Sequence, residues 1–165
     1  MSPSMAILFA IFAPLAAIPG IALCNTRANL REAVILLTGS LVFISVSSLF
    51  IDVANGGRPG LQLGEILPGL TLAFALEPLG MLFAGIASFL WVVTTIYSIG
   101  YMRGHRERNQ TRFYIYFAIA ISSALGIAFA GNMFTLFIFY EVLTISTFPL
   151  VTHSGSDEAK RAGRM

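Results

Sequence analysis

Charge is scarce in this sequence. Only 11% of its 165 residues are Asp, Glu, Lys or Arg, where a soluble domain carries about 25%. Lysine occurs once, at Lys160, and cysteine once, at Cys24. A single cysteine excludes an intrachain disulfide and any Cys-based metal site, so Cys24 reads as a reduced thiol at a helix end. His105 has no partner at metal-ligand spacing, and no flavin, Fe–S, haem or nucleotide motif occurs, so no cofactor and no metal are expected. Lys and Arg are also missing ahead of the first apolar run, MSPSMAILFAIFAPLAAIPGIAL. A cleaved signal peptide needs a basic n-region there, and Leu23 before Cys24 is too large for a lipoprotein cleavage site. The run is therefore expected to be a retained first membrane helix.

What the sequence has is oil. Hydrophobic residues make up 56% of it and the mean hydropathy is +0.81, which points to lipid as the solvent. A bilayer core about 30 Å thick needs about 20 apolar residues of helix. Five stretches qualify: 5–23, 33–51, 79–101, 113–130 and 134–151. Uniformly apolar runs do not separate helix from strand by periodicity, so length decides for helix. The expectation is an all-α integral membrane protein, multi-pass in a cell membrane, with residues 1–165 forming one transmembrane unit. Pro14, Pro19 and Pro149 fall within spans and predict bends rather than ends, because neighbouring helices can satisfy the freed carbonyls.

The connectors differ in charge. NTRANLRE carries Arg27 and Arg31, RGHRERNQTR carries Arg103, Arg106, Arg108 and Arg112, and the tail carries Lys160, Arg161 and Arg164. With five spans these three segments share one side, so nine of the ten basic residues lie together. The positive-inside rule makes that side cytoplasmic and the N-terminus external. RGHRERNQTR is ten residues between two spans, a loop facing headgroups, and no nucleic-acid partner is expected. On the other side LQLGE and LTLAFAL flank Pro68-Gly69, which predicts a short external hairpin between the second and third spans. Glu77-Pro78 reads as the start of the third helix.

One carboxylate interrupts the fifth span. Glu141 lies in FIFYEVLTISTF, close to the middle of 134–151. A central charge costs about 2.5–3.5 kcal/mol on the insertion scale, and each Phe, Leu, Ile or Val returns roughly 0.3–0.6. The span holds eleven of these, so the helix inserts with its glutamate. Hydrocarbon favours the neutral acid, and ionisation when water or a cation approaches is the behaviour of a proton relay. The plainer reading is a protonated Glu donating a hydrogen bond across a helix interface, or pairing locally with Thr144 one turn along. The fourth span is rich in small residues, with Ser122, Gly126 and Ala130 at four-residue spacing and Ser123 beside them. Small residues let helices approach closely in lipid, and the connector GNM makes the fourth and fifth helices antiparallel neighbours. Glu141 is thus expected in a bundle interior near Ser122 or Ser123, with His153 at the helix end as a further step on a proton path.

These residues carry a resemblance. GNMFTLFIFYEVLTISTFPLVTHSGSDEAKRAGR is similar to the fourth-to-sixth helix region of the antiporter-like subunits of respiratory complex I and of Mrp-type cation/proton antiporters. Within that family FPLVTH followed by AKRAG looks closest to the D-type Mrp subunit and its relatives in membrane-bound hydrogenases. The resemblance implies that Glu141 occupies the position of the fifth-helix glutamate, which acts in proton translocation with a lysine on the seventh helix. It also implies partners, namely other membrane subunits of an antiporter or respiratory complex, with H⁺ and Na⁺ as the ions. The departure is sharp, because Lys160 is the only lysine and lies in the polar tail. The chain is therefore expected to be the N-terminal portion of a longer subunit, or to be completed by a second polypeptide. Two other readings stay open: a non-transporting scaffold or assembly subunit, and a membrane-arm subunit of an NADH:quinone oxidoreductase or hydrogenase complex whose redox chemistry belongs to partners.

Overall fold

A computed structural model describes residues 2–105 and 109–152, without the side chains of residues 66 and 67. The expectations placed on His153 and on the Lys160 tail lie outside the described residues. The chain runs α1 (Pro3–Leu23), α2 (Ala28–Ala54), β1 (Gly60–Leu67), β2 (Leu70–Ala75), α3 (Pro78–Gly104), α4 (Gln110–Ala128) and α5 (Met133–Val151). All five helices are long and apolar enough to cross a membrane. Each matches one expected span. Helices α1 and α5 continue through Pro14, Pro19 and Pro149.

The helices α2 and α3 overrun their apolar stretches. Helix α2 begins at Ala28 rather than Ala33, and α3 ends at Gly104 rather than Tyr101. Hydropathy marks only the length that must sit in hydrocarbon. Backbone hydrogen bonding continues into the polar layer, so Arg31, Glu32 and Arg103 become helical residues with fixed faces.

Helix α1 packs on α2 and α4, α2 also on α3, and α3 on α4, while α5 leans on α4 and β2. The first four helices thus share one core, which includes Ile7, Ile11, Val42, Trp91, Tyr114 and Leu125. Hydroxyls tie helices together where apolar packing alone is weakly directional in lipid. Ser45 Oγ donates to the Ala6 carbonyl at 3.2 Å, and Ser122 Oγ to the Ile11 carbonyl at 2.7 Å. On α3 the buried positions alternate three and four apart, at Met81, Ala84, Ser88, Trp91, Thr95, Ser98 and Met102. That is a single stripe of α3, shared between its contacts with α2 and α4, while the opposite face stays outside the bundle.

The predicted hairpin is present. Strands β1 and β2 pair antiparallel, from Gly60 opposite Ala75 to Leu67 opposite Leu70. Pro68-Gly69 makes the two-residue turn between them, with Gly69 at φ 82°, where a Cβ would be strained. The Glu65 carboxylate accepts a hydrogen bond from the Gly69 amide across the turn.

The hairpin is pinned to the turn between α4 and α5, which fixes the start of α5. Ala75 N donates to the Phe129 carbonyl at 2.9 Å, and Gly131 N to the Ala73 carbonyl at 2.8 Å. Asn132 acts twice there. Its Oδ1 accepts from Thr135 N at 2.8 Å, capping α5, and its Nδ2 donates to the Thr71 carbonyl at 2.8 Å. Thr135 Oγ1 in turn accepts from Ala73 N at 3.0 Å.

Candidate functional site

The face that α5 turns inward is set by two fits. At its start Thr135 is fully buried against β2. One turn on, the Phe139 ring lies against Gly126 of α4, so close that a Cβ on Gly126 would overlap it. Phe139 also meets Phe74 of β2 edge-on, with ring centroids 5.8 Å apart. The expected close approach of small residues on α4 to bulky ones on α5 is thus made by one glycine and one phenylalanine.

With that face fixed, Glu141 points the other way. It is exposed, on a stripe with Phe137, Thr144, Ile145 and Phe148, eight residues past Met133 and ten before Val151. Among the described residues no hydrogen bond or ion pair reaches its carboxylate. Among the described residues Glu141 is therefore on the outer face of α5 rather than between α5 and α4. Helix α5 is the outermost of the five, and its inward positions are filled by Thr135, Phe139 and Ser146.

The supposed companions of Glu141 are not gathered around it. Thr144 Oγ1 donates to the Tyr140 carbonyl at 3.0 Å on its own helix. Ser123 Oγ donates to the Ile119 carbonyl at 2.9 Å, and Ser122 faces α1. Both serines are buried, and only Ser122 has a hydrogen bond to another helix. Short hydroxyls in apolar helices satisfy themselves on the preceding turn when no other acceptor is in reach.

A second polar centre was missed by sequence reasoning. At the basic end of the bundle Arg31 and Glu32 are only 4% and 3% exposed. Arg103 Nε donates to Glu32 Oε1 at 3.1 Å, and its Nη2 bonds the other carboxylate oxygen, a two-pronged pairing. Arg103 Nη2 also reaches Asn29 Oδ1 at 2.5 Å. Arg31 donates to Gln110 Oε1 at 2.6 Å and to Thr111 Oγ1 at 3.1 Å, and its guanidinium lies 5.5 Å from the centre of the Tyr114 ring. Helices α2, α3 and α4 are thereby stitched together at one end. The signal was the adjacent pair Arg31-Glu32. It reads as part of a solvated loop until α2 is known to start before it.

No group of three or more His, Cys, Asp or Glu able to hold a metal occurs among the described residues.

Comparison with known proteins agrees with the fold and with the motif reading. The sequence model for the family described as NADH-ubiquinone oxidoreductase (complex I), chain 5 N-terminus, matches residues 68–114, from the hairpin turn into α4. Glu141 lies beyond that segment. The mnhA2 antiporter-subunit candidate of Staphylococcus haemolyticus is 30% identical over 94 residues, covering 57% of this chain and 12% of that protein. The Na(+)/H(+) antiporter subunit A1 of Staphylococcus aureus is 29% identical over 114 residues, covering 68% of this chain and 14% of that protein. The chain therefore matches only a small part of these relatives, and they are A-type subunits where the tail motif pointed to the D type. In structure, a chain of the membrane-bound sulfane sulfur reductase, an archaeal respiratory membrane complex, superposes with a TM-score of 0.77 at 17% identity. That likeness covers 94% of this chain and 24% of the other, and it concerns the fold. By motif and by matched sequence the chain is similar to the N-terminal portion of antiporter-like subunits, and its five long apolar helices make it a multi-pass membrane protein.

Proposed function

We propose that this chain is the N-terminal part of an ion-translocating antiporter-like subunit, in which Glu141 carries protons coupled to H⁺ or Na⁺ movement. The observation that carries this reading is the position of Glu141. It is central in α5, on the face that no other described element covers, and has no partner among the described residues. Facing lipid permanently, such a carboxyl would cost several kcal/mol with nothing gained. Facing further helices, it becomes the acidic half of a pair whose cation comes from elsewhere in the subunit or from a second polypeptide. A cation brought close would hold Glu141 ionised, and its withdrawal would release the carboxylate to take up a proton. In this arrangement the arginine-rich end is cytoplasmic and the hairpin external, as the distribution of Arg27, Arg103 and Arg112 favours.

Replacing Glu141 with Gln in the assembled complex tests the reading. Proton-coupled cation flux is expected to fall to background while assembly is unchanged. Normal flux in an assembled Glu141→Gln complex refutes it. A silent Glu141→Gln together with a poor yield of Glu141→Leu would mark Glu141 as a structural hydrogen-bonder in a scaffold subunit.

A further inference from the structure

Four buried polar atoms find no hydrogen-bond partner among the described residues: Arg31 Nε, Tyr114 Oη, Thr95 Oγ1 and Trp91 Nε1. Each belongs to a residue at most 4% exposed. Unmade hydrogen bonds on this scale are rare in native interiors, because each leaves a desolvated polar group uncompensated. Scattered orphans would mean little, but these follow one another.

The Arg31 guanidinium lies over the Tyr114 ring. Ser98 lies beside the Tyr114 hydroxyl without completing a bond that meets hydrogen-bond geometry, and its own Oγ donates to the Thr95 carbonyl at 2.9 Å. Thr95 and Trp91 are successive turns of the same buried seam of α3. Trp91 is the middle residue of Pro78–Gly104. At 1.5 Å per residue the series runs about 18 Å along α3 from the level of Arg103 to the level of Trp91. That is about half the thickness of a membrane.

We infer that α2, α3 and α4 enclose a file of bound water, leading from the Arg31–Glu32–Arg103 cluster past Tyr114, Ser98 and Thr95 to the indole of Trp91 at mid-bundle. The chemistry of the orphans selects the ligand. Arg31 Nε and Trp91 Nε1 only donate hydrogen bonds, so each end of the file needs an acceptor and repels a metal cation. Water supplies the acceptor at both ends and both donates to and accepts from the two hydroxyls between, as buried water does with two to four polar partners. A sodium ion would meet N–H groups at both ends. The file therefore admits water, and with it protons, to the centre of the bundle from the basic end. Arg103, about half exposed, and Glu32, buried, form its outer boundary. The inference does not rest on Glu141, whose helix packs on α4 and β2.

Trp91 is the only tryptophan in the chain, so one indole signal reports on the inner end. The experiment places the full chain, labelled with ¹⁵N-tryptophan, in nanodiscs and follows exchange of the indole proton with solvent by NMR. Exchange in minutes is expected in the native chain. Thr95→Val combined with Ser98→Ala, which removes two hydroxyls and little volume, is expected to slow it by about tenfold or more, with amide dispersion unchanged. An indole proton protected for many hours in the native chain overturns the inference. So does fast exchange that the double variant leaves unchanged, because water would then arrive by another route.

Discussion

Removing the Glu32 carboxylate puts the largest single demand on this bundle. Glu32 is 3% exposed and, among the described residues, is the only acid that meets both Arg31, at 3.9 Å, and Arg103. Its replacement by Ala leaves the Arg31 guanidinium buried without its counter-charge. Breaking a fully buried ion pair from one side costs about 3–5 kcal/mol. Here the Arg103 side chain is 49% exposed and can rehydrate, as partners in surface pairs do. The cost that remains is that of Arg31, which places Glu32→Ala at the lower end, about 3 kcal/mol. That is roughly a hundredfold in the folded-to-unfolded ratio. Reversible unfolding in mixed micelles, monitored by near-ultraviolet circular dichroism, measures it. The Glu32→Ala/Arg103→Ala cycle adds a second reading. The double variant is expected to cost less than the sum of the singles, because the two removals share one interaction. A loss below about 1 kcal/mol for Glu32→Ala, within the range of an ordinary surface pair, would refute the reasoning.

Gly126→Ala drives a methyl into the Phe139 ring, and overpacking of this kind costs about 1–3 kcal/mol. Crosslinking between cysteines placed on α4 and α5 should fall, and Phe139→Leu in the same chain should restore part of it. An unchanged crosslink yield would mean that α5 docks by other contacts. Asn132→Ala removes the cap of α5 and the tie to the Thr71 carbonyl. A lost cap alone is worth about 1 kcal/mol. Faster cleavage of the hairpin by added protease is the expected readout, and unaltered cleavage would show that the Ala75–Phe129 and Gly131–Ala73 bonds suffice.

The hairpin shows why some of this molecule was legible from its residues. Pro68 sets its own φ and Gly69 alone takes a positive one without strain, so the turn is written in two adjacent residues. Asn132 is the opposite case. Nothing in GNM says that its side chain reaches Thr71, 61 residues away. The same holds for Arg31 and Arg103, whose charges signalled a side of the membrane. Their pairing with Glu32, and the helical turns that hold them, came only with the fold.

The sequence by itself determined that five helices cross a membrane, that a hairpin joins the second to the third, and that one carboxylate sits within the last. Each of these follows from length, apolarity or turn chemistry over a few neighbouring residues. Only the tertiary structure decided which way the carboxylate points and where the buried polar atoms meet. Helix α5 is apolar around most of its circumference, so its own residues do not choose a face. That choice belongs to Gly126, which receives Phe139, and to the hairpin, which holds Thr135. Together they turn Glu141 outward, away from the core that the first four helices share.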